Sequence, residues 1–333
     1  MTHTRHGVRG GDPPAAHRPP LPSGPTPLRD RPPRDRPPRG RRRVSGRITT
    51  FALFALPGLL AYLLFVLVPI GMTAYYSMTN RNPFNPPTKW VGLRNYAELL
   101  GDAEFLKALA NTVVVTVIVM VLANVGGLLI AQLLDRPTRL YVALRGVFFT
   151  PVVLSSVVVS VIWQVVLTDD GLLNSALRGL GVEDPPGWLS DPGIALYTIA
   201  WVITWQMLGF CVVVYLAGLQ GVPRELQEAA AIDGCGPLAR FRNVTWPMLA
   251  PALTINTVML LITGFKAYDQ IQVITNGGPG TGTTTTMAFQ VVQTSFNGNR
   301  VGYGSAMAAV MLVLVACVSV LVLRVLQRRE VTR

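Results

Sequence analysis

Histidine is missing from all but the start of this 333-residue chain, where His3, His6 and His17 lie. Beyond that point no imidazole is available as proton shuttle, nucleophile activator or metal ligand. Lysine is almost as scarce, with Lys89, Lys107 and Lys266 the three present. None follows a GxxxxG with Ser or Thr behind it, so the chain encodes no phosphate-cradling loop and does not hydrolyse ATP by that route. The three cysteines, Cys211, Cys235 and Cys317, are too scattered for a disulfide framework or a CxxC metal site. They read as small buried hydrophobes in or beside apolar stretches. Charge is sparse too, at 14% of residues, while half of the chain is apolar. That balance, with a mean hydropathy of +0.41, excludes an ordinary soluble domain and points to an all-α polytopic membrane protein.

The charge that exists is unevenly placed. Of the net +12, residues 1–50 contribute +9, from 12 arginines against 3 acids. This Pro- and Arg-rich segment, with its "RDRPPRDRPPRGRRR", cannot bury enough apolar surface to fold. The expectation is a disordered basic tail over 1–48, drawn to anionic membrane lipid rather than to nucleic acid. Six later stretches are apolar and long enough for a bilayer core of about 30 Å. They lie near 51–78, 107–134, 145–167, 194–219, 249–272 and 304–326, within a transmembrane domain of 49–327 that leaves a short 328–333 end. The segments on the amino-terminal side of the membrane carry 22 Lys and Arg, against 5 in the loops between spans on the other side. Positive charge collects in cytoplasmic loops, so both termini are expected in the cytoplasm. Glycines 126, 127 and 209 read as close helix packing, and Trp163, Trp188 and Tyr197 as interfacial anchors.

One cytoplasmic stretch, 220–248, is unlike its surroundings. Val222-Pro223 opens a helix, since proline suits a first turn, and Glu225 and Glu228 favour the positive end of the helix dipole. Leu226, Ala229, Ala230 and Asp233 share a narrow face with small side chains at its middle. Gly234 can take the left-handed conformation that ends a helix tightly. A second helix from Pro237 repeats Leu238, Phe241, Val244 and Met248, and Pro247 starts the return into the bilayer. The product is a two-helix prong rooted at both ends in membrane helices. A passive amphipathic loop on the membrane surface is the alternative that this local pattern leaves open.

"EAAAIDGCGPLARFRNVTWPMLAP" closely resembles the cytoplasmic EAA loop of ABC importer permeases, through Glu228, Ala229, Ala230, Asp233, Gly234, Val244 and Pro247. A second block is similar to the sugar-type permeases of that class. It comprises Tyr268-Asp269-Gln270-Ile271, which departs in its aromatic, then Thr275-Asn276-Gly277-Gly278-Pro279 and Gly302-Tyr303-Gly304-Ser305-Ala306. The resemblance covers about 50–326. It implies a type I ABC importer permease fold with six transmembrane helices, forming half of a heterodimeric pore with a second permease subunit. Two ABC ATPase subunits would sit beneath, and an extracytoplasmic solute-binding protein would deliver a sugar or sugar derivative. No cofactor and no catalysis are implied for this chain. The resemblance puts ATPase contact at Glu228, Ala229, Ala230 and Gly234, within a coupling loop that includes Asp233 and Pro247. Leu238 and Phe241 are the apolar contacts that the helical pattern adds.

Polar groups in or near the fourth and fifth spans, Gln206, Asn256, Thr263, Tyr268 and Asp269, with the ring of Trp205, are candidates for a substrate path, because intramembrane polar groups face a bundle interior or cavity. Packing and pairing within the bundle explain them at least as well, and Lys266 and Asp269, at i and i+3, could pair with each other. The rival class is a proton-coupled secondary transporter titrating those two groups. It gives the prong nothing to do.

Overall fold

The computed structural model describes residues 42–136 and 138–328. Contacts divide the chain into Met1–Gly58 and Leu59–Arg333. Of the first, the described part is helical, and the packing below concerns the second. The expectation for the basic tail falls, up to residue 41, outside the described residues, as does that for 329–333.

Among the described residues the regular elements are helices, with one isolated antiparallel bridge between Thr79 and Trp90. In chain order, α1 (Arg42–Tyr62), a π turn at Leu63–Leu67 and α2 (Val68–Ser77) follow one another, before the short α3 (Arg94–Gly101) and the long α4 (Ala103–Leu134). Then come α5 (Arg139–Val153), α6 (Ser156–Leu167), α7 (Leu172–Gly179) and α8 (Ala195–Gln220). After it lie α9 (Arg224–Ile232), α10 (Pro237–Arg240), a π turn at Phe241–Thr245, α11 (Trp246–Met248) and α12 (Ala250–Phe265). The chain closes with α13 (Asp269–Ile274), α14 (Met287–Val292), a π turn at Gln293–Asn297 and α15 (Val301–Gln327).

Among the described residues, Leu53–Ser77, Ala103–Leu134, Ser156–Gly179, Ala195–Gln220 and Val301–Gln327 are long and apolar enough to cross a bilayer. The pair Pro237–Met248 and Ala250–Phe265, bent by 64°, makes a sixth if taken as one span. Helices suit this solvent because they satisfy their backbone polar groups internally. The long α4 is started by Asp102, whose Oδ1 accepts from the Glu104 and Phe105 amides at 2.9 and 3.2 Å.

The core forms where α4 and α8 lie against each other and against α5, α12 and α13. Val115, Val119, Ala123, Ile199, Ile203 and Val212 are fully or almost fully buried there. The close approach rests on the glycines. A Cβ on Gly127 would stand 2.5 Å from the Cβ of Cys211, and one on Gly209 would stand 2.1 Å from the Phe148 carbonyl oxygen. Inside this apolar seam Tyr215 donates its hydroxyl proton to Asn124 Oδ1 at 2.7 Å, tying α8 to α4. Of the cysteines only Cys211 is buried, whereas Cys235 is half-buried and Cys317 exposed, so the expectation of three buried thiols holds for one.

Two spans differ from their expected course. The stretch 145–167 is not continuous: α5 ends at Val153 and α6 begins at Ser156. Pro151 removes one backbone donor within α5, Leu154 and Ser155 are extended, and Ser155 Oγ accepts from the Val158 amide to start α6 afresh. The stretch 249–272 also stops early, at Phe265, and resumes as α13 after Lys266–Tyr268. Lys266 and Asp269 do not pair. The ion pairs found among the described residues are Arg178–Asp170 and Arg300–Glu98.

Candidate functional site

The prong is built from the turn outward. At the end of α9 the Cys235 amide donates to the Ala230 carbonyl at 2.9 Å, and the Gly234 amide to the Ala231 carbonyl at 3.1 Å. This double closure needs a left-handed residue at its centre, and Gly234 supplies it with φ +79°. Gly236 is extended and leads into α10, which runs through the π turn and α11 before the chain bends at Leu249.

Its roots are buried and its tip is open. Val222 enters buried and Leu249 leaves fully buried. Phe241 is half-buried against core residues, with its ring 6.2 Å from that of Trp246. Glu228, Ala229, Asp233, Gly234 and Leu238 are exposed, while Ala230 and Pro247 are half-buried. Leu238 and Phe241 therefore separate in role: the first offers an apolar surface, 80% exposed, and the second anchors the prong. Ile232, 86% exposed beside the turn, was not singled out from the sequence. It lies off the small-residue face and so escapes a reading confined to that face.

The polar residues proposed for a substrate path do not gather in one place. Gln206 and Asn256 are buried. Gln206 Nε2 donates to the Leu154 carbonyl at 3.1 Å, at the break between α5 and α6, and its Oε1 accepts from Gln270 Nε2 at 3.4 Å. Asn256 Nδ2 donates to the Cys211 carbonyl at 3.4 Å. Trp205 stands in edge-to-face contact with Trp163, 5.3 Å between centroids, and Trp163 meets Trp201 in the same way at 4.7 Å. Thr263 and Asp269 are half-buried, on α12 and at the start of α13. Tyr268 donates to Gln272 Oε1 at 3.3 Å. Of these residues Tyr268 lines a cleft of about 780 Å³ between α2, α12, α14 and α15, where Thr73, Tyr96, Lys266 and Met311 also lie. Trp188 is pinned to α7, donating to Asn174 Oδ1 at 2.8 Å.

The Thr-Asn-Gly-Gly-Pro segment and the threonines after it form a compact loop held by α4. Asn111 Nδ2 reaches the carbonyls of Thr283 and Thr285 at 3.1 and 2.9 Å, Lys107 Nζ reaches that of Thr281 at 2.9 Å, and Thr112 Oγ1 accepts from the Met287 amide at 2.8 Å. Thr286 Oγ1 donates to the Ala267 carbonyl at 2.6 Å, in the gap between α12 and α13. Asn111 and Thr112 carry the loop's placement, and polar side chains early in an otherwise apolar helix were the available signal. Among the described residues no three His, Cys, Asp or Glu side chains gather as a metal site would require.

A family model described as "Binding-protein-dependent transport system inner membrane component" matches residues 123–331. The chain is 34% identical over 279 residues to a probable starch degradation products transport system permease protein, AmyD, of Thermoanaerobacterium thermosulfurigenes, covering 84% of this chain and 94% of the relative. It is 32% identical, again over 279 residues, to the multiple sugar-binding transport system permease protein MsmF of Streptococcus mutans, covering 84% and 95%. A solved bacterial alginate ABC transporter, in complex with an alginate pentasaccharide-bound periplasmic protein, shares the fold with a TM-score of 0.72 at 18% identity, covering 83% of this chain and 93% of that one.

Proposed function

This chain belongs to the binding-protein-dependent transport system inner membrane components, and from that premise we propose that it is the permease subunit of an ATP-driven importer for a sugar or sugar derivative. Relatives named for starch degradation products and for multiple sugars support the substrate class. In this reading the chain forms half of a heterodimeric pore in the cell membrane with both termini in the cytoplasm. It receives its solute from an extracytoplasmic binding protein, as the alginate transporter's periplasmic protein suggests.

The observation that carries the reading is the prong. It is an exposed two-helix element whose tip presents small and apolar side chains, and whose roots, Val222, Phe241 and Leu249, pass straight into the packed bundle. A force on its tip is transmitted to α8 and α12 because the roots are close-packed. Glu228, Ala229, Ala230, Asp233, Gly234 and Leu238 seat in the ATPase, with Ile232 beside them. Closure of the ATPase dimer on ATP then shifts the spans from one two-state conformation to the other by differential binding. Burying Ile232 and Leu238 would add about 1.5–3 kcal/mol each to that seat.

The substrate-facing surface in this reading is the cleft lined by Thr73, Tyr96, Lys266 and Tyr268, with Gln206 and Asn256 holding the helices that shape it. The test is uptake of a panel of radiolabelled sugars by a deletion strain and its parent, with co-purification of the tagged full chain. Loss of one sugar's uptake together with recovery of an ATPase subunit supports the assignment. Unchanged uptake across the panel, or a chain that purifies without any ATPase, refutes it.

A further inference from the structure

At the end of the fold away from the prong, a second feature lies outside the transport reading. Between the segment that follows α2 and the starts of α3 and α15 is a polar cleft of about 290 Å³. Arg81, Arg94 and Arg300 line it against one carboxylate, Glu98. That carboxylate is already engaged by Arg300, whose guanidinium also lies 4.1 Å from the Tyr303 ring centroid. Arg81 sits 4.4 Å over the ring of Tyr76. Among the described residues neither the Arg81 nor the Arg94 side chain has a hydrogen-bond or ion-pair partner.

The amides around these guanidinium groups are biased the same way. Asn80 Oδ1 accepts from the Lys89 amide and Asn82 Oδ1 from the Phe84 amide, at 2.6 and 2.9 Å. Each of these acceptor oxygens is thus turned toward a backbone N–H, and the Nδ2 donors remain. Asn95, at the rear, gives its Nδ2 to the Ser77 and Thr79 carbonyls and fixes the wall. The cleft therefore holds two cations in excess and a surplus of donors, a set that matches the several acceptor oxygens of a phosphate.

Its position selects the source of that phosphate. The cleft opens where α2 ends at Ser77 and α15 begins at Val301, two apolar spans whose ends mark the headgroup level of a bilayer. Phe84 and Trp90 are exposed beside it, as interfacial aromatic anchors are. We propose that this cleft binds the phosphate of a membrane phospholipid headgroup, with Arg81 and Arg94 as its principal ligands and the amides of Asn80 and Asn82 as secondary donors. Inorganic phosphate presents the same oxygens without the acyl chains, so the two sources are separable by experiment.

The full chain in nanodiscs of phosphatidylcholine, doped with phosphatidylglycerol carrying a photoreactive group next to the headgroup, is irradiated and its labelled peptides are mapped. Label is expected on the peptides spanning Asn80–Arg94 and Arg300. It should fall about tenfold in the Arg81→Gln/Arg94→Gln double variant, the loss of about 1.4 kcal/mol of binding. It should fall likewise in Asn82→Asp, which keeps both arginines and adds a negative charge. Labelling of peptides from the basic amino-terminal segment is the internal control and should not change. Equal cleft labelling in the variants overturns the proposal. So does complete competition by millimolar inorganic phosphate, which would make the cleft a free-anion site, or variants that lose capture of the extracytoplasmic protein while keeping full lipid label.

Discussion

Gln206 on α8 donates to the carbonyl of Leu154 across a 3.1 Å hydrogen bond, meeting the chain where α5 gives way to α6. A helix break inside a bilayer leaves carbonyls that water cannot reach. A distant side chain supplies the missing donor. Thr286 does the same for Ala267 at the break between α12 and α13, at 2.6 Å.

Gln206→Leu should therefore behave as a stability variant. Leaving the Leu154 carbonyl unpaired costs about 1–3 kcal/mol, read as a lower thermal unfolding midpoint of the purified chain, with the half-saturating sugar concentration for uptake unchanged. A raised half-saturation with an unchanged midpoint would instead place Gln206 in contact with the solute.

A second tie joins α15 to the start of α4: Tyr303 donates to Asp102 Oδ2 at 2.6 Å, while the other oxygen of the same carboxylate caps α4. Asparagine caps helices about as well as aspartate, so Asp102→Asn isolates the tyrosine contact. In a double-mutant cycle with Tyr303→Phe the two substitutions should couple by about 1 kcal/mol or more, as hydrogen bonds to charged groups do. Strictly additive losses would show that the bond contributes nothing.

Gly234→Val tests the turn. No heavy atom lies within 4 Å of where a Cβ would sit, so the cost is the left-handed backbone alone, about 1–2 kcal/mol or more for a β-branched residue. The expectation is lost sugar uptake with normal amounts of membrane-inserted protein. Wild-type uptake would show that the turn is not part of coupling.

Lys266 and Asp269 offer the remaining point of decision against a proton-driven carrier. In the native protein, and equally with Asp269→Asn in place, uptake by vesicles loaded with ATP should persist when the proton gradient is collapsed. Uptake that follows the gradient and ignores ATP would reverse the assignment.

Much of this was legible in the residues. Apolar length marked 51–78, 107–134, 194–219 and 304–326, each of which falls on one long apolar helix, and the small face of Ala229 and Ala230 with Gly234 behind it gave the prong. The breaks were not, because hydropathy averages over twenty residues and does not register two extended ones. Leu154 and Ser155 look like continued helix until the Gln206 donor, 52 residues on, is seen to stabilise the gap. The Gly302-Tyr303 pair was visible as a motif, but its cause is three-dimensional: a Cβ on Gly302 would stand 2.0 Å from the Thr79 carbonyl oxygen. Phe241 and Leu238 share one helical pattern, and only packing separates the half-buried side chain from the exposed one.

Disulfide cross-linking at the prong tip is the most direct test of the central claim that force enters through it. In a Cys235→Ser background, Ala229→Cys or Leu238→Cys is paired with single cysteines in the cleft of the co-expressed ATPase subunit, in native membranes. The account predicts a covalent adduct of the two chains that stops uptake until it is reduced. No adduct at either position, with sugar still accumulating against its gradient, would contradict it.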